Sequence, residues 1–142
     1  FEDWQCRGSG LHSSYLYIGS WFIEALGGIR RPEAGYKEFT IEPWITEKGP
    51  QQVRSHYNSM YGNIVSNWAV NSGVLNLEVT VPANTTAILK LSDIDLGTLK
   101  EGDSIWKEAK GVSLYMQKGK TISLALQSGT YRFSVTMNSS VQ

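Results

Sequence analysis

Beyond Arg30 the apolar residues of this chain stop recurring at helical spacing and begin to alternate, and that change of period decides the kind of fold open to it. Leu75, Leu77, Val79 and Val81 interleave with Asn76, Glu78 and Thr80. Ile122, Leu124 and Leu126 interleave with Ser123 and Ala125, and Tyr131, Phe133 and Val135 with Arg132 and Ser134. Successive side chains of a strand point to opposite faces, so each run reads as a half-buried strand. Tyr36–Ile41, Val53–Tyr57, Ile64–Val70, Thr86–Leu91 and Val112–Met116 are further candidates. Turn signals divide them at Tyr61-Gly62-Asn63, Asn71-Ser72-Gly73, Pro82-Ala83-Asn84, Lys118-Gly119-Lys120 and Ser128-Gly129. About eight short strands, each with one apolar face to bury, predict an antiparallel β-sandwich. The fold class is mainly β, with the sandwich over 36–142.

The first 35 residues are of another kind. From Leu11 to Leu26 polar residues are few, and Ser13, Ser20 and Glu24 fall on one narrow stripe, while Tyr15, Leu16, Tyr17, Ile18, Trp21, Phe22, Ile23, Ala25 and Leu26 cover most of the rest. A helix apolar nearly all round belongs inside something large. Gly27 and Gly28 stop it. It is too short and too polar to span a membrane, which takes about 20 apolar residues. The expectation is a helix that has lost its neighbours, and whose exposed surface drives self-association of this piece.

Composition removes several partners. The chain has 142 residues, enough for one domain, and a hydrophobic fraction of 41%, enough for a packed core. Thirteen basic and 13 acidic residues cancel, and the densest charged stretch, Lys100 to Lys110, mixes signs, so neither nucleic acid nor an acidic membrane is an expected partner. Cys6 is the only cysteine, which excludes an internal disulfide. No cofactor or metal is expected. Gly8-Ser9-Gly10 follows no strand and lacks the rest of a phosphate fingerprint. Cys6 with His12 falls short of the four ligands of a structural zinc site. Ser13 and Ser14 beside His12 have neither a nucleophile elbow nor an orienting acid. Phe1 as first residue, without an initiator Met or a leader, leads to the expectation of an internal boundary within a larger enzyme.

Chemistry is concentrated at the amino end, where Glu2 and Trp4 are followed by His12 just before the apolar helix. An indole offers a flat face to a sugar ring, a carboxylate takes a proton, and an imidazole donates to a hydroxyl. Each also has an ordinary reading, Glu2 as a solvated acid and His12 as a capping or packing residue.

The stretch FEDWQCRGSGLHSSYLYIGSWFIEALGGI resembles the end of the catalytic domain of bacterial α-L-rhamnosidases, glycoside hydrolases built on an (α/α)6 barrel. There a W-E-x-W segment precedes a Gly/Ser-rich turn, a His and an apolar helix. AGYKEFTIEP, SMYGNIVSNW and LEVTVPANTTAIL resemble the segments that lead into and build the family's closing β-sandwich. The resemblance implies a division into the end of the barrel domain, residues 1–35, carrying a site segment and the last barrel helix, and a C-terminal sandwich domain, residues 36–142. It also implies that Glu2 is the general base that activates water for attack with inversion, and that Trp4 and His12 contact the sugar, a rhamnose-containing glycoside. Phe1 stands where the family usually has Trp and Leu11 where it commonly has Asn, which removes an indole donor and a polar side chain from the surroundings of the sugar. The partnering acid, held about 6.5–9.5 Å from the base in inverting enzymes, comes from far upstream in the family. It is absent from this chain, so the chain alone is expected to be inactive. The alternative is a non-catalytic carbohydrate-binding or structural sandwich, with Trp68 or Trp106 as a stacking platform, whereas the first reading of both tryptophans is as core or turn-packing residues. His56 reads as a surface or packed strand residue.

Overall fold

The computed structural model describes residues 19, 21–30, 35–46 and 48–138. After a short helical segment ending at Leu26, the strands are β1 (Ile29–Arg30), β2 (Glu38–Ile41), β3 (Gln52–Ser59), β4 (Gly62–Asn71), β5 (Val74–Val81), β6 (Thr86–Ser92), β7 (Lys100–Glu101), β8 (Ser104–Ile105), β9 (Val112–Lys118), β10 (Thr121–Leu126) and β11 (Gly129–Thr136). They form two sheets, in the orders β1-β2-β6-β10-β9 and β3-β4-β5-β11-β7-β8. The architecture is the expected sandwich. Every alternating run is a strand, and outside the first helix the described residues hold only two short 3-10 turns, Leu96–Thr98 and Trp106–Glu108.

Alternation translates directly into a core. Leu75, Leu77, Val79 and Val81 of β5 are all at most 2% exposed, and their partners across the strand pair, Tyr131, Phe133 and Val135 of β11, are buried as well. Phe39 and Ile41 of β2, Ala87, Leu89 and Leu91 of β6, and Ile122, Leu124 and Leu126 of β10 complete the apolar layer from the other sheet. Burying apolar area at roughly 25 cal/mol per Å² is the main force holding the two sheets together.

One feature departs from an all-antiparallel sandwich. β2 pairs with β6 in parallel, Glu38 opposite Thr86 and Ile41 opposite Leu89. The chain leaves the first sheet after β2, builds β3, β4 and β5 in the second, and returns beside β2. A parallel pair needs such a long crossover, and a period of two carries no information on strand direction.

Tyr131 ties down the far end of the sandwich. Its hydroxyl donates toward the carbonyls of Gln127 at 2.9 Å and Gly111 at 3.3 Å, joining the start of β11 to the turns before β9 and β11. Burial, with the Glu101 carboxylate adding to it, raises the phenol above its ordinary pKa.

Candidate functional site

Glu2, Trp4 and His12 lie outside the described residues. Of the helix expected over residues 11–26 the structure places only Gly19 and residues 21–26, helical there, with the bed in which that end rests; the remainder lies outside the described residues. Phe22–Leu26 is wound as a π turn closed by Gly27 N–H to the Phe22 carbonyl at 3.0 Å. Gly28, at φ +72°, then turns the chain into β1, a left-handed conformation that a side chain would resist.

The turn has two faces. Ile23 packs against the sandwich core. Trp21 and Phe22 face outward, about half exposed, and are joined by Trp44 from the connection between β2 and β3. Their rings meet edge to face, Trp21 to Phe22 at 5.4 Å and Trp21 to Trp44 at 6.5 Å between centroids. Three large aromatic rings in one exposed cluster mark a surface suited to a partner. Beside it Glu42 receives Arg30 at 3.2 Å and Lys90 at 3.8 Å, exposed pairs that contribute at most about 1 kcal/mol each. An open groove of about 800 Å³ is lined by Trp44, Arg30, Glu42, Lys90, Asp93 and Asn138, among others.

The helix end is held from the side. A helix leaves its last carbonyls without intrahelical donors. Here the Glu24 carbonyl accepts from Arg30 Nε at 3.1 Å, the Ala25 carbonyl from the Trp44 backbone N–H at 3.1 Å, and the Leu26 carbonyl from the Trp68 indole N–H at 2.8 Å.

This geometry corrects the alternative reading of the tryptophans. Trp68 and Trp106 are 2% and 6% exposed and belong to the core, so neither offers a face to a sugar. The outer face of the second sheet instead carries a polar ladder in register, Arg54, Asn67, Glu78 and Arg132. Asn67 donates to Glu78 at 3.3 Å and Arg132 to Glu78 at 3.2 Å. A shallow groove of about 730 Å³ lies over it, and its two aromatic neighbours, Trp68 and Phe133, are turned into the core. His56 is exposed on β3. Among the described residues no His, Cys, Asp and Glu side chains gather as a metal site, and no helix is long and apolar enough to cross a membrane. Trp44 and Arg30 were not singled out from the sequence, because Pro43-Trp44 lies in a stretch without period and Arg30 at the point where the period changes.

Fold and junction together define a two-sheet β-sandwich that receives the end of a short helical segment. Residues 28–105 match the family described as bacterial alpha-L-rhamnosidase C-terminal domain, and the chain belongs to that family. An alpha-L-rhamnosidase of Formosa agariphila is 33% identical over 122 residues, covering 86% of this chain and 13% of the relative. One from Streptomyces avermitilis is 32% identical over 78 residues, covering 54% of this chain and 7% of the relative. The chain thus spans about an eighth of the length of the Formosa relative. Among solved structures, Streptomyces avermitilis alpha-L-rhamnosidase complexed with L-rhamnose superposes with a TM-score of 0.75 at 23% identity, over 91% of this chain and 12% of that one. The alpha-L-rhamnosidase from Dictyoglumus thermophilum gives 0.74 at 22% identity, over 91% and 14%. At these identities the superpositions speak for the fold.

Proposed function

We propose that this chain works as the C-terminal part of an α-L-rhamnosidase-type glycoside hydrolase, whose upstream barrel holds the rest of the active site and binds a rhamnose-containing glycoside. Residues 1–35 supply the barrel's last helix and its site segment, and 36–142 the sandwich that packs against the barrel, with Ile29–Arg30 already hydrogen-bonded to β2 in the sheet. The observation that carries this reading is the family match over residues 28–105. The exposed cluster of Trp21, Phe22 and Trp44 supports it as a surface for the barrel to cover.

In the mechanism, Glu2 is the general base. As a carboxylate it takes a proton from a water that attacks the anomeric carbon, while a carboxylic acid from the upstream barrel, about 6.5–9.5 Å away in an inverting site, protonates the leaving oxygen. Trp4 lies against the sugar ring and His12 donates to one of its hydroxyls. The chain on its own has the base without the acid and does not turn over substrate.

The test is kinetic. In the complete enzyme, Glu2→Gln keeps the shape of the side chain and removes the base, so kcat on an aryl rhamnoside should fall about 10²–10⁴-fold while KM changes little. Retention of more than about a tenth of wild-type kcat, well above what loss of a general base leaves, would assign the base to another carboxylate.

A further inference from the structure

A sandwich has two outer faces, and here they differ in kind. Across the middle of the first sheet's outer face Thr40, Ile88 and Ala125 stand in register, half-buried and weakly polar. The second sheet carries Arg54, Asn67, Glu78 and Arg132 in one row, and Gln52, Ala69, Asn76 and Ser134 in the next. Solubility asks for polar residues on such a face but for no particular arrangement of them, whereas these are joined into one network.

The network is anchored on backbone groups. Ser55 N–H donates to Asn67 Oδ1 at 3.2 Å, Asn67 Nδ2 to Glu78 Oε2 at 3.3 Å and Arg132 Nη2 to Glu78 Oε1 at 3.2 Å, while the Arg132 backbone N–H donates to Glu101 Oε1 at 3.2 Å. Side chains tied in this way on strands are in place before anything binds. Hydrogen-bonding capacity is left over. The Arg54 guanidinium has no partner among the described residues, and Glu78 takes one side-chain donor on each oxygen where a carboxylate has about four acceptor positions.

The surface over the network is a trough. Ala69 keeps its floor low between Gln52 and Asn76, and the Gly102-Asp103 turn stands at the Arg132 end, tied there by Gly102 N–H to the Arg132 carbonyl at 2.9 Å. The row from Arg54 to Arg132 crosses three inter-strand spacings of roughly 4.8 Å, about 14 Å in all. The groove volume of about 730 Å³ falls within the roughly 300–1,000 Å³ of small-molecule sites.

We infer that this trough is a carbohydrate-binding site in its own right, which takes a short neutral oligosaccharide through its ring hydroxyls. Arg54 and Arg132 are balanced by Glu78 and Asp103, so the lining has no net charge to attract an ion. A phosphate or a uronate carboxylate only accepts, and would meet two carboxylates with nothing to donate; a sugar hydroxyl both donates and accepts, which suits a row that offers guanidinium, amide and carboxylate in turn. The choice of a sugar among polyhydroxyl ligands rests on the proposed glycoside hydrolase role. Trp68 and Phe133 are turned into the core, so affinity comes from hydrogen bonds without ring stacking.

The experiment titrates the isotope-labelled 142-residue chain with a neutral rhamnosyl-glucose disaccharide and follows its backbone amides by NMR. Saturable shifts should appear at residues 52–54, 67–69, 76–78 and 132–134 and be absent at 121–125 of the first sheet, with a Kd on the order of 1 mM. Arg54→Ala should weaken binding about tenfold, the cost of one hydrogen bond to a charged group. Ala69→Ile, which raises the floor with a side chain that strands favour, should abolish it, and Lys118→Ala on the first sheet should leave it unchanged. No saturable shift, shifts centred elsewhere, wild-type affinity in Ala69→Ile, or tighter binding of a digalacturonate would each overturn the inference. In the complete enzyme a diazirine-bearing form of the disaccharide should label peptides containing residues 52–54 or 67–69, and that labelling should vanish in Ala69→Ile. Absence of label there would show the face covered by the upstream domain and overturn the inference for the enzyme. The Glu2→Gln kinetics test a residue outside this trough, so the proposed function and this site can each fail alone.

Discussion

Replacing Tyr131 with Phe removes one hydroxyl and keeps the ring, including its stacking on Phe133 at 6.0 Å between centroids. The phenol has a single proton, and its shorter contact is to the Gln127 carbonyl at 2.9 Å. The Gly111 carbonyl, the more distant acceptor, is already served by the Gln127 backbone N–H at 2.9 Å. The substitution therefore orphans one carbonyl. A neutral hydrogen bond is worth about 1 kcal/mol net, and an acceptor left dry raises the loss toward about 3 kcal/mol. Tyr131 is only 5% exposed, which places the expected loss at about 2 kcal/mol. With a urea m-value of about 2 kcal/mol per M, the unfolding midpoint should fall by about 1 M. Tryptophan fluorescence during urea unfolding measures it. The pH dependence sharpens the test. Burial and then Glu101 raise the folded-state pKa above the unfolded one, so the folded chain holds this proton more tightly. That contribution is complete below about pH 10, the ordinary tyrosine value, and is lost as pH rises through the folded pKa. The gap between wild type and Tyr131→Phe should therefore narrow above about pH 10. An unchanged midpoint near neutral pH, or a gap that stays constant into alkali, would refute the argument.

Two further outcomes follow from the same structure. Ser55→Ala and Ser66→Ala each delete a buried hydroxyl with no hydrogen-bond partner among the described residues, so stability should be unchanged or rise by up to about 1 kcal/mol; a marked destabilisation by thermal unfolding would mean that the hydroxyl is satisfied. Trp44→Ala should change the stability of this chain alone by only about 0.5 kcal/mol, because the side chain is half exposed. In the complete enzyme it should cost about 1–2 kcal/mol if the barrel covers the aromatic cluster, and equal losses in the two proteins would count against that cover.

The eight long strands were legible because a two-sheet fold writes its burial into the chain: residues such as Leu75, Leu77, Val79 and Val81 must be apolar every second position to meet the opposite layer. Turn residues located the breaks between them. The short strands at Ile29–Arg30, Lys100–Glu101 and Ser104–Ile105 left no such trace, since two residues make no period and their place depends on neighbours already folded. For the candidate site, Glu2, Trp4 and His12 are an expectation from residue types and spacing that lies outside the described residues, whereas the three donors that meet the helix end left no pattern in the sequence. Arg30, Trp44 and Trp68 lie 14 and 24 residues apart in sequence and converge only when β1, β2 and β4 take their places.

Sequence by itself determined that the chain buries one layer between two sheets, because hydrophobic period is a local property that no distant contact can supply. Tertiary structure alone decided what each tryptophan does. Trp44 and Trp68 are the same residue type, one exposed in an aromatic cluster and the other sealed in the core with its N–H on the Leu26 carbonyl. An indole can stack on a ligand, fill a core or cap a helix. Which of these it does depends on the surface brought against it, and that surface comes from strands far away in the chain.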